Sequence, residues 1–163
     1  MRDRPLHPPE VEELDEFRKA GFRLVGCAED VADTNTILGK VTDFVYRIQT
    51  GNNDSLSALT DSDDKLIDAA WGVGSLLGNE FVRRLGWQWC LITDGEAEKF
   101  GVVSPDRGLI LYPSFFVRDC LLDRRRDFTG HLIFNMVAAG RFKDMLANTY
   151  LDLSENVVRI VPR

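Results

Sequence analysis

The chain has 163 residues, of which 44% are hydrophobic and 28% are charged, and its net charge at pH 7 is −6. This length and composition predict one domain with a core of its own and exclude an intrinsically disordered chain. Residues 1–100 carry 19 acidic and 11 basic side chains, a net −8, whereas residues 101–163 carry 7 and 9, a net +2. The acidic N-terminal part disfavours nucleic-acid binding, which needs clustered Lys and Arg.

The cysteines and the N-terminal residues indicate the cellular compartment in which the protein is expected. Cys27, Cys90 and Cys120 lie far apart, form no C-x-x-C pair and are odd in number, which predicts a reducing environment. No apolar segment follows the arginines of the first ten residues, so we expect no secretory signal. No stretch approaches the roughly 20 apolar residues needed to cross a bilayer. We therefore expect a cytoplasmic protein that does not contact the membrane.

The first half of the chain is predicted to be helical. Residues 1–8 are expected to form a flexible extension, followed by a helix over about 9–20 that Gly21 ends. Residues 22–27 are then extended or a short strand. From about Asp33 the apolar positions follow a one-sided helical stripe, which the glycine and asparagines at 51–53 end. The stripe consists of Ile37, Val41, Phe44, Val45 and Ile48.

A longer helix over about 62–85 is predicted to form the centre of the fold. Asp61, Asp63 and Asp64 supply helix-capping side chains and negative charge at its start. Gly86 is placed to end it. Its length of more than 20 residues predicts that other elements pack around it.

The rest of the chain alternates short strands with helices. Strands over 87–93, 100–103 and 109–112, with a turn at Asp94-Gly95, predict an antiparallel meander. Pro113 is expected to start a helix, Thr129 to cap a last long helix to about Ala147, and residues 157–161 to add an edge strand. The predicted fold is a single α+β domain over residues 1–163, with several helices packed around an antiparallel sheet of three to five strands.

The glycines of the central segment allow two interpretations. One interpretation is a dinucleotide-binding turn. Its spacing is matched by Gly72, Gly74 and Gly78, with Asp94 about twenty residues further on. That fold needs a strand over 65–71, where an aspartate and two alanines fit poorly. If the segment is helical, Ala70, Gly74 and Gly78 form a small-residue stripe that lets another element approach closely. We favour the helix, which implies a packing role for the glycines.

Glycine, apolar and acidic positions also recur in a characteristic order over about residues 66–125, roughly a third of the chain. They are Gly74, Gly78, Glu80, Leu85, Gly86, Trp87, Trp89, Asp94, Leu111, Tyr112, Pro113 and Val117. This order resembles a bacterial domain family of unknown function. The resemblance implies an α+β domain in which a helix precedes an antiparallel sheet, and it brings no catalytic residues with it.

Few residues indicate chemistry. Neither His7 nor His131 has ligand spacing to a cysteine or another histidine, so we expect no metal site and no cofactor. Cys120 with His131 matches no nucleophile motif. Glu80 follows an apolar turn of the central helix, where a carboxylate that ties helix to sheet by hydrogen bonds is favoured over a general base.

The remaining character is similar to that of small acidic immunity proteins. We expect a non-catalytic, protein-binding module. It would neutralise a partner toxin that has a basic surface, by covering that surface. The candidate contacts are acidic or aromatic side chains: Asp61, Asp63, Asp64, Trp87, Trp89, Asp94, Glu96 and Glu98. Two alternatives stay open: a small-molecule-binding domain or enzyme with a pocket near Glu80, and a homodimer without a ligand.

Overall fold

A computed structural model describes residues 1–51 and 54–159. Five strands lie in this part of the chain: β1 (Arg2–Pro5), β2 (Gln88–Asp94), β3 (Ala97–Val103), β4 (Leu109–Leu111) and β5 (Leu151–Asp152). The α-helices are α1 (Pro8–Val25), α2 (Thr34–Thr50), α3 (Asp63–Leu85), α4 (Pro113–Leu122), α5 (Gly130–Ala138) and α6 (Leu153–Asn156), with a 3-10 helix over Asp54–Leu59. The predicted α+β class is confirmed.

The described residues divide into two compact units. The sheet unit comprises Met1–Leu6, Gly78–Tyr112 and the described residues from Thr129 onward. The helical unit comprises His7–Leu77 and Pro113–Phe128. The division falls within α3, between Leu77 and Gly78.

The sheet unit contains one five-stranded sheet in the order β1-β2-β3-β4-β5. β2, β3 and β4 pair antiparallel, as the short turns between them predicted, and β1 also pairs antiparallel with β2. The predicted all-antiparallel sheet is corrected to a mixed one, because β5 pairs parallel with β4. One hydrophobic cluster of the sheet consists of Cys90, Ile92, Val103 and Ile110, against which Tyr112 and Tyr150 pack. The side chain of Phe81, from the end of α3, packs on Trp87 and Phe134 with ring centroids 4.9 Å and 5.3 Å away.

In the helical unit, the apolar stripe of α2 is buried as predicted. Ile37, Val41, Phe44, Val45 and Ile48 are each no more than 2% exposed. Asp33 caps this helix by accepting a hydrogen bond from the amide of Thr36, and Gly51 follows it at φ 72°. The side chain of Gln49, also on α2, forms two partly buried hydrogen bonds. Its Nε2 donates to the carbonyls of Cys120 and Arg126 at 3.0 Å and 2.7 Å. These bonds fasten α2 to the end of α4 and the turn behind it.

The glycine segment is helical, and two of its glycines, Gly72 and Gly74, are packing residues. A Cβ at Gly74 would lie 2.6 Å from the backbone nitrogen of Ser114 on α4, and a Cβ at Gly72 would lie 2.9 Å from the nitrogen of Gly21 on α1. Both distances are too short for a real side chain. The dinucleotide alternative is therefore excluded, because this segment contains no strand and turn but continuous helix.

Several predicted boundaries are wrong, each because a long-range contact overrides a local signal. The expected flexible extension over residues 1–8 contains β1, which pairs with β2, and α1 begins at Pro8. Gly21 lies inside α1 against Gly72, so the helix continues through the predicted extended segment to Val25 and ends at Gly26, where φ is 66°.

The C-terminal predictions also need correction. The expected helix to Ala147 stops at Ala138, because Gly140 follows in the left-handed region at φ 71°. The last edge strand is Leu151–Asp152, whereas Val157 directly follows α6; the end of the predicted strand over 157–161 lies outside the described residues. Among the described helices, none is both long and apolar enough to cross a membrane.

Candidate functional site

The tip of the β2–β3 hairpin carries a compact negative charge. Asp94 ends β2, Gly95 turns the chain at φ 66°, and Glu96 and Glu98 follow. All three carboxylates are exposed, and none forms a salt bridge within the described residues. Lys99, the only basic residue between positions 88 and 103, lies 5.5 Å from the ring centroid of Tyr112. Residues 88–103 therefore carry a net charge of −2; we call Asp94, Glu96 and Glu98 the hairpin tip.

The second predicted acidic group lies in the helical unit. Asp61, Asp63 and Asp64 are exposed at the start of α3. The carboxylate of Asp61 pairs with Nζ of Lys65 at 3.1 Å. Asp63 and Asp64 occupy the first turn, where the positive end of the helix dipole favours them. These three residues thus have a sufficient structural reason for their charge, unlike the hairpin tip.

The two tryptophans lie away from the tip of the hairpin. Trp87 precedes β2 and is 5% exposed against Phe81, so it belongs to the core and is not available to a partner. Trp89 is half-buried and pairs with Val102. It lies five residues from Asp94, about 17 Å along the strand. Neither indole therefore lies beside the hairpin tip.

Glu80 is 2% exposed, and it is held by an arginine of its own helix. Oε2 of Glu80 accepts a 2.6 Å hydrogen bond from the terminal nitrogen of Arg83, and Oε1 accepts a 3.3 Å bond from its Nε. This is the two-point geometry in which Arg binds a carboxylate most strongly. The pair compensates a buried charge, and this favours a structural role for Glu80.

A further cluster of polar side chains lies in the sheet unit and was not predicted. Oδ1 of Asp3 on β1 accepts a hydrogen bond from the hydroxyl of Tyr150, and Oδ2 accepts one from the guanidinium of Arg107 at 3.2 Å. The same guanidinium nitrogen donates to Oε1 of Gln88 on β2 at 3.1 Å. The thiol of Cys90 is a further neighbour of Asp3 that lowers the pKa of this carboxyl. We call Asp3, Gln88, Cys90, Arg107 and Tyr150 the Asp3 cluster.

The environment of the Asp3 cluster fixes its protonation. Burial alone raises the pKa of Asp3, but the hydrogen bonds from Tyr150 and Arg107, together with the neighbouring Cys90, outweigh burial and hold the pKa below its usual value. Burial and the neighbouring Asp3 raise the pKa of Cys90 to about 12. The thiol is therefore protonated at neutral pH, which makes Cys90 a poor nucleophile.

The backbone around the Asp3 cluster is unusual. Arg107 and Tyr150 both have left-handed backbones, at φ 58° and 51°. The amide of Tyr150 donates to the carbonyl of Arg107 at 3.0 Å, so the two are also joined through the main chain. Such conformations persist only where surrounding contacts impose them. No local sequence signal marks this cluster, because its members are distant in the chain.

The next feature is the arrangement of residue types that bind metals or act as nucleophiles. In the described ranges, no group of three or more His, Cys, Asp or Glu side chains is arranged to hold a metal ion. Burial raises the pKa of Cys120 to about 12, so this thiol is also protonated at neutral pH.

A scan against models of known protein families, a search of curated proteins and a search of solved structures each found no match. The resemblance over about residues 66–125 therefore stays a prediction.

Proposed function

We propose that the protein binds a basic protein partner through the hairpin tip, in the manner of an immunity or antitoxin protein that covers its toxin. The observation that carries this proposal is the set of exposed carboxylates at Asp94, Glu96 and Glu98, none of which forms an ion pair with any residue that the structure describes. Three like charges within five residues repel one another. A partner with Lys or Arg at the matching positions relieves that repulsion and gains attraction in its place.

The hairpin is suited to this role because it is ordered before binding. Seven residue pairs join β2 to β3, from Gln88–Val103 to Asp94–Ala97. A preformed contact surface loses less conformational entropy on association. The overall charge of −6 also accelerates the approach of a basic protein.

Co-expression provides the test of the biological role. The protein encoded by the gene beside this one is expressed alone and together with this chain, and cell growth is measured. We expect the neighbouring protein to arrest growth and this chain to restore it. Restoration should fail with the triple variant D94N/E96Q/E98Q.

A control variant separates the hairpin tip from total charge. Glu12, Glu13 and Asp30 are exposed carboxylates of the helical unit that form no salt bridge with described residues. The variant E12Q/E13Q/D30N changes the net charge by the same amount and should restore growth fully. Equal behaviour of the two triple variants would contradict the assignment of the hairpin tip.

A further inference from the structure

A cleft of about 350 Å³ opens in the sheet unit between the β3–β4 turn and the turn that follows α5. This volume falls in the range typical of small-molecule sites. Its apolar walls are formed by Pro105, Leu109, Val137 and Phe142, and its polar groups belong to Ser104, Asp106 and Lys143. Apolar walls with a few polar groups are the usual composition of a ligand site.

Asp106 uses only one of its two carboxylate oxygens within the protein. Oδ1 accepts hydrogen bonds from Oγ of Ser104 at 2.6 Å and from the amide of Gly108 at 2.9 Å. These bonds lower the pKa of Asp106 below its usual value, so the group is ionised at neutral pH. Within the described residues, Oδ2 of Asp106 has no hydrogen-bond partner.

Lys143 supplies the opposite charge. Its side chain is exposed and forms no ion pair in the described part of the chain. Asp106 and Lys143 line the same cleft but do not pair with each other. A carboxylate and an ammonium group thus line one cleft without pairing with each other, and each still attracts a counter-charge.

The turn that carries Asp106 is held in place. The carbonyls of Asp106 and Gly108 accept hydrogen bonds from the amides of Asn148 and Leu151 at 3.0 Å and 2.9 Å. Arg107, between them, has its left-handed backbone fixed by these contacts and by a bond from its amide to the carbonyl of Ser104 at 2.9 Å. A fixed turn keeps the carboxylate in position without a ligand, which lowers the entropic cost of binding.

We propose that this cleft binds a small zwitterion with an apolar side chain, of which a free apolar α-amino acid is the simplest example. The ligand's ammonium group meets Oδ2 of Asp106 and its carboxylate meets Nζ of Lys143. Its side chain packs on the apolar wall. A simple anion or cation fits less well, because one of the two protein charges would repel it. This site is independent of the proposed partner at the hairpin tip.

The test uses L-leucine and two analogues that each lack one charge. N-acetyl-L-leucine has no ammonium group, and L-leucinamide has no carboxylate. By calorimetry or NMR titration we expect L-leucine to bind with a Kd of about 0.1–10 mM, the range for so small a ligand. Each analogue should bind about tenfold more weakly, because each loses one charge-assisted hydrogen bond.

Two variants assign each charge to its residue. In Asp106→Asn the amide oxygen can still accept hydrogen bonds from Ser104 and Gly108, so the turn is retained. This variant should bind L-leucine and N-acetyl-L-leucine with equal affinity. Lys143→Gln should no longer distinguish L-leucine from L-leucinamide. Arg141→Gln and Asp144→Asn, which remove charges flanking the cleft residues on the same turn, should leave all three affinities unchanged.

Two results would overturn the proposal. One is the absence of saturable binding of L-leucine, L-methionine and L-phenylalanine to the wild-type protein. The other is binding of L-leucine that both cleft variants leave unchanged. Loss of toxin protection by the hairpin-tip variant has no bearing on either result, so the two proposals fail separately.

Discussion

The hydroxyl of Tyr150 donates a 2.5 Å hydrogen bond to the carboxylate of Asp3, 147 positions earlier in the chain. Asp3 lies on the edge strand β1, and Tyr150 directly precedes β5 at the other edge of the sheet. Arg107 binds the second oxygen of the same carboxylate. The Asp3 cluster therefore holds the N-terminal strand with side chains as well as with backbone pairing.

Removing the hydroxyl of Tyr150 should destabilise the sheet unit. We expect Tyr150→Phe to lower the free energy of unfolding by about 1–2 kcal/mol, because a largely buried carboxylate loses a hydrogen bond. Urea denaturation measures this change, and hydrogen exchange at residues 2–5 should become faster. Tyr46→Phe is the control, since Tyr46 is 62% exposed. Equal stability of the two variants would contradict a stabilising role of the Asp3 cluster.

The same carboxylate should make stability depend on acidic pH. The pKa of Asp3 is lower in the folded protein than the unfolded value of about 3.9. Its contribution is therefore present above pH 4 or so and is lost as the pH falls through the folded pKa. The stability difference between wild type and Asp3→Asn should shrink as the pH is lowered from about 5 to about 2. A difference that stays constant over this range would count against the lowered pKa.

The three cysteines should differ in reactivity. Cys90 and Cys120 are 0% exposed and their pKa values are raised to about 12, whereas Cys27 is partly exposed. Because the thiolate is the reactive species, iodoacetamide at pH 8 should modify Cys27 first. Mass spectrometry of the native protein should find one fast site, and unfolding in urea should make all three reactive. Labelling of Cys90 as fast as Cys27 in the native protein would contradict its burial.

Alanine at two helix glycines should have opposite effects. A Cβ at Gly74 would press against the backbone of Ser114, which cannot move aside as a side chain does. We expect Gly74→Ala to destabilise the protein by about 1–2 kcal/mol, after its gain in helix propensity. Gly39 in α2 has no atom within 4 Å of the added methyl, so Gly39→Ala should stabilise by roughly 0.5–1 kcal/mol. Thermal unfolding compares the two; stabilisation by both would contradict the close helix crossing.

Local patterns predicted the parts of the fold that local physics controls. The stripe of α2 has a one-sided period that only a helix satisfies, and Gly51 ends it as expected. Asp94-Gly95 was recognised as a turn because glycine readily adopts the positive φ found there. The small-residue face of α3 was likewise visible in the sequence, although its partners were not.

The failures have a common physical origin in distant contacts. Gly21 has the sequence signature of a helix end, but its packing against Gly72 keeps it inside α1. Residues 2–5 have little strand propensity and become β1 because β2 offers an edge for pairing. The Asp3 cluster depends on contacts between residues far apart in the chain, which single-sequence patterns do not encode.

The affinity of the proposed basic partner for the two triple variants tests the role of the hairpin tip most directly. The partner is first captured from the native host and then titrated against each purified protein by calorimetry at low and high salt. We predict that D94N/E96Q/E98Q raises the Kd about tenfold or more at low salt, with a smaller effect at high salt, and that E12Q/E13Q/D30N leaves the Kd near the wild-type value. An unchanged Kd for the hairpin-tip variant, or an equal rise for both variants, would contradict binding through Asp94, Glu96 and Glu98.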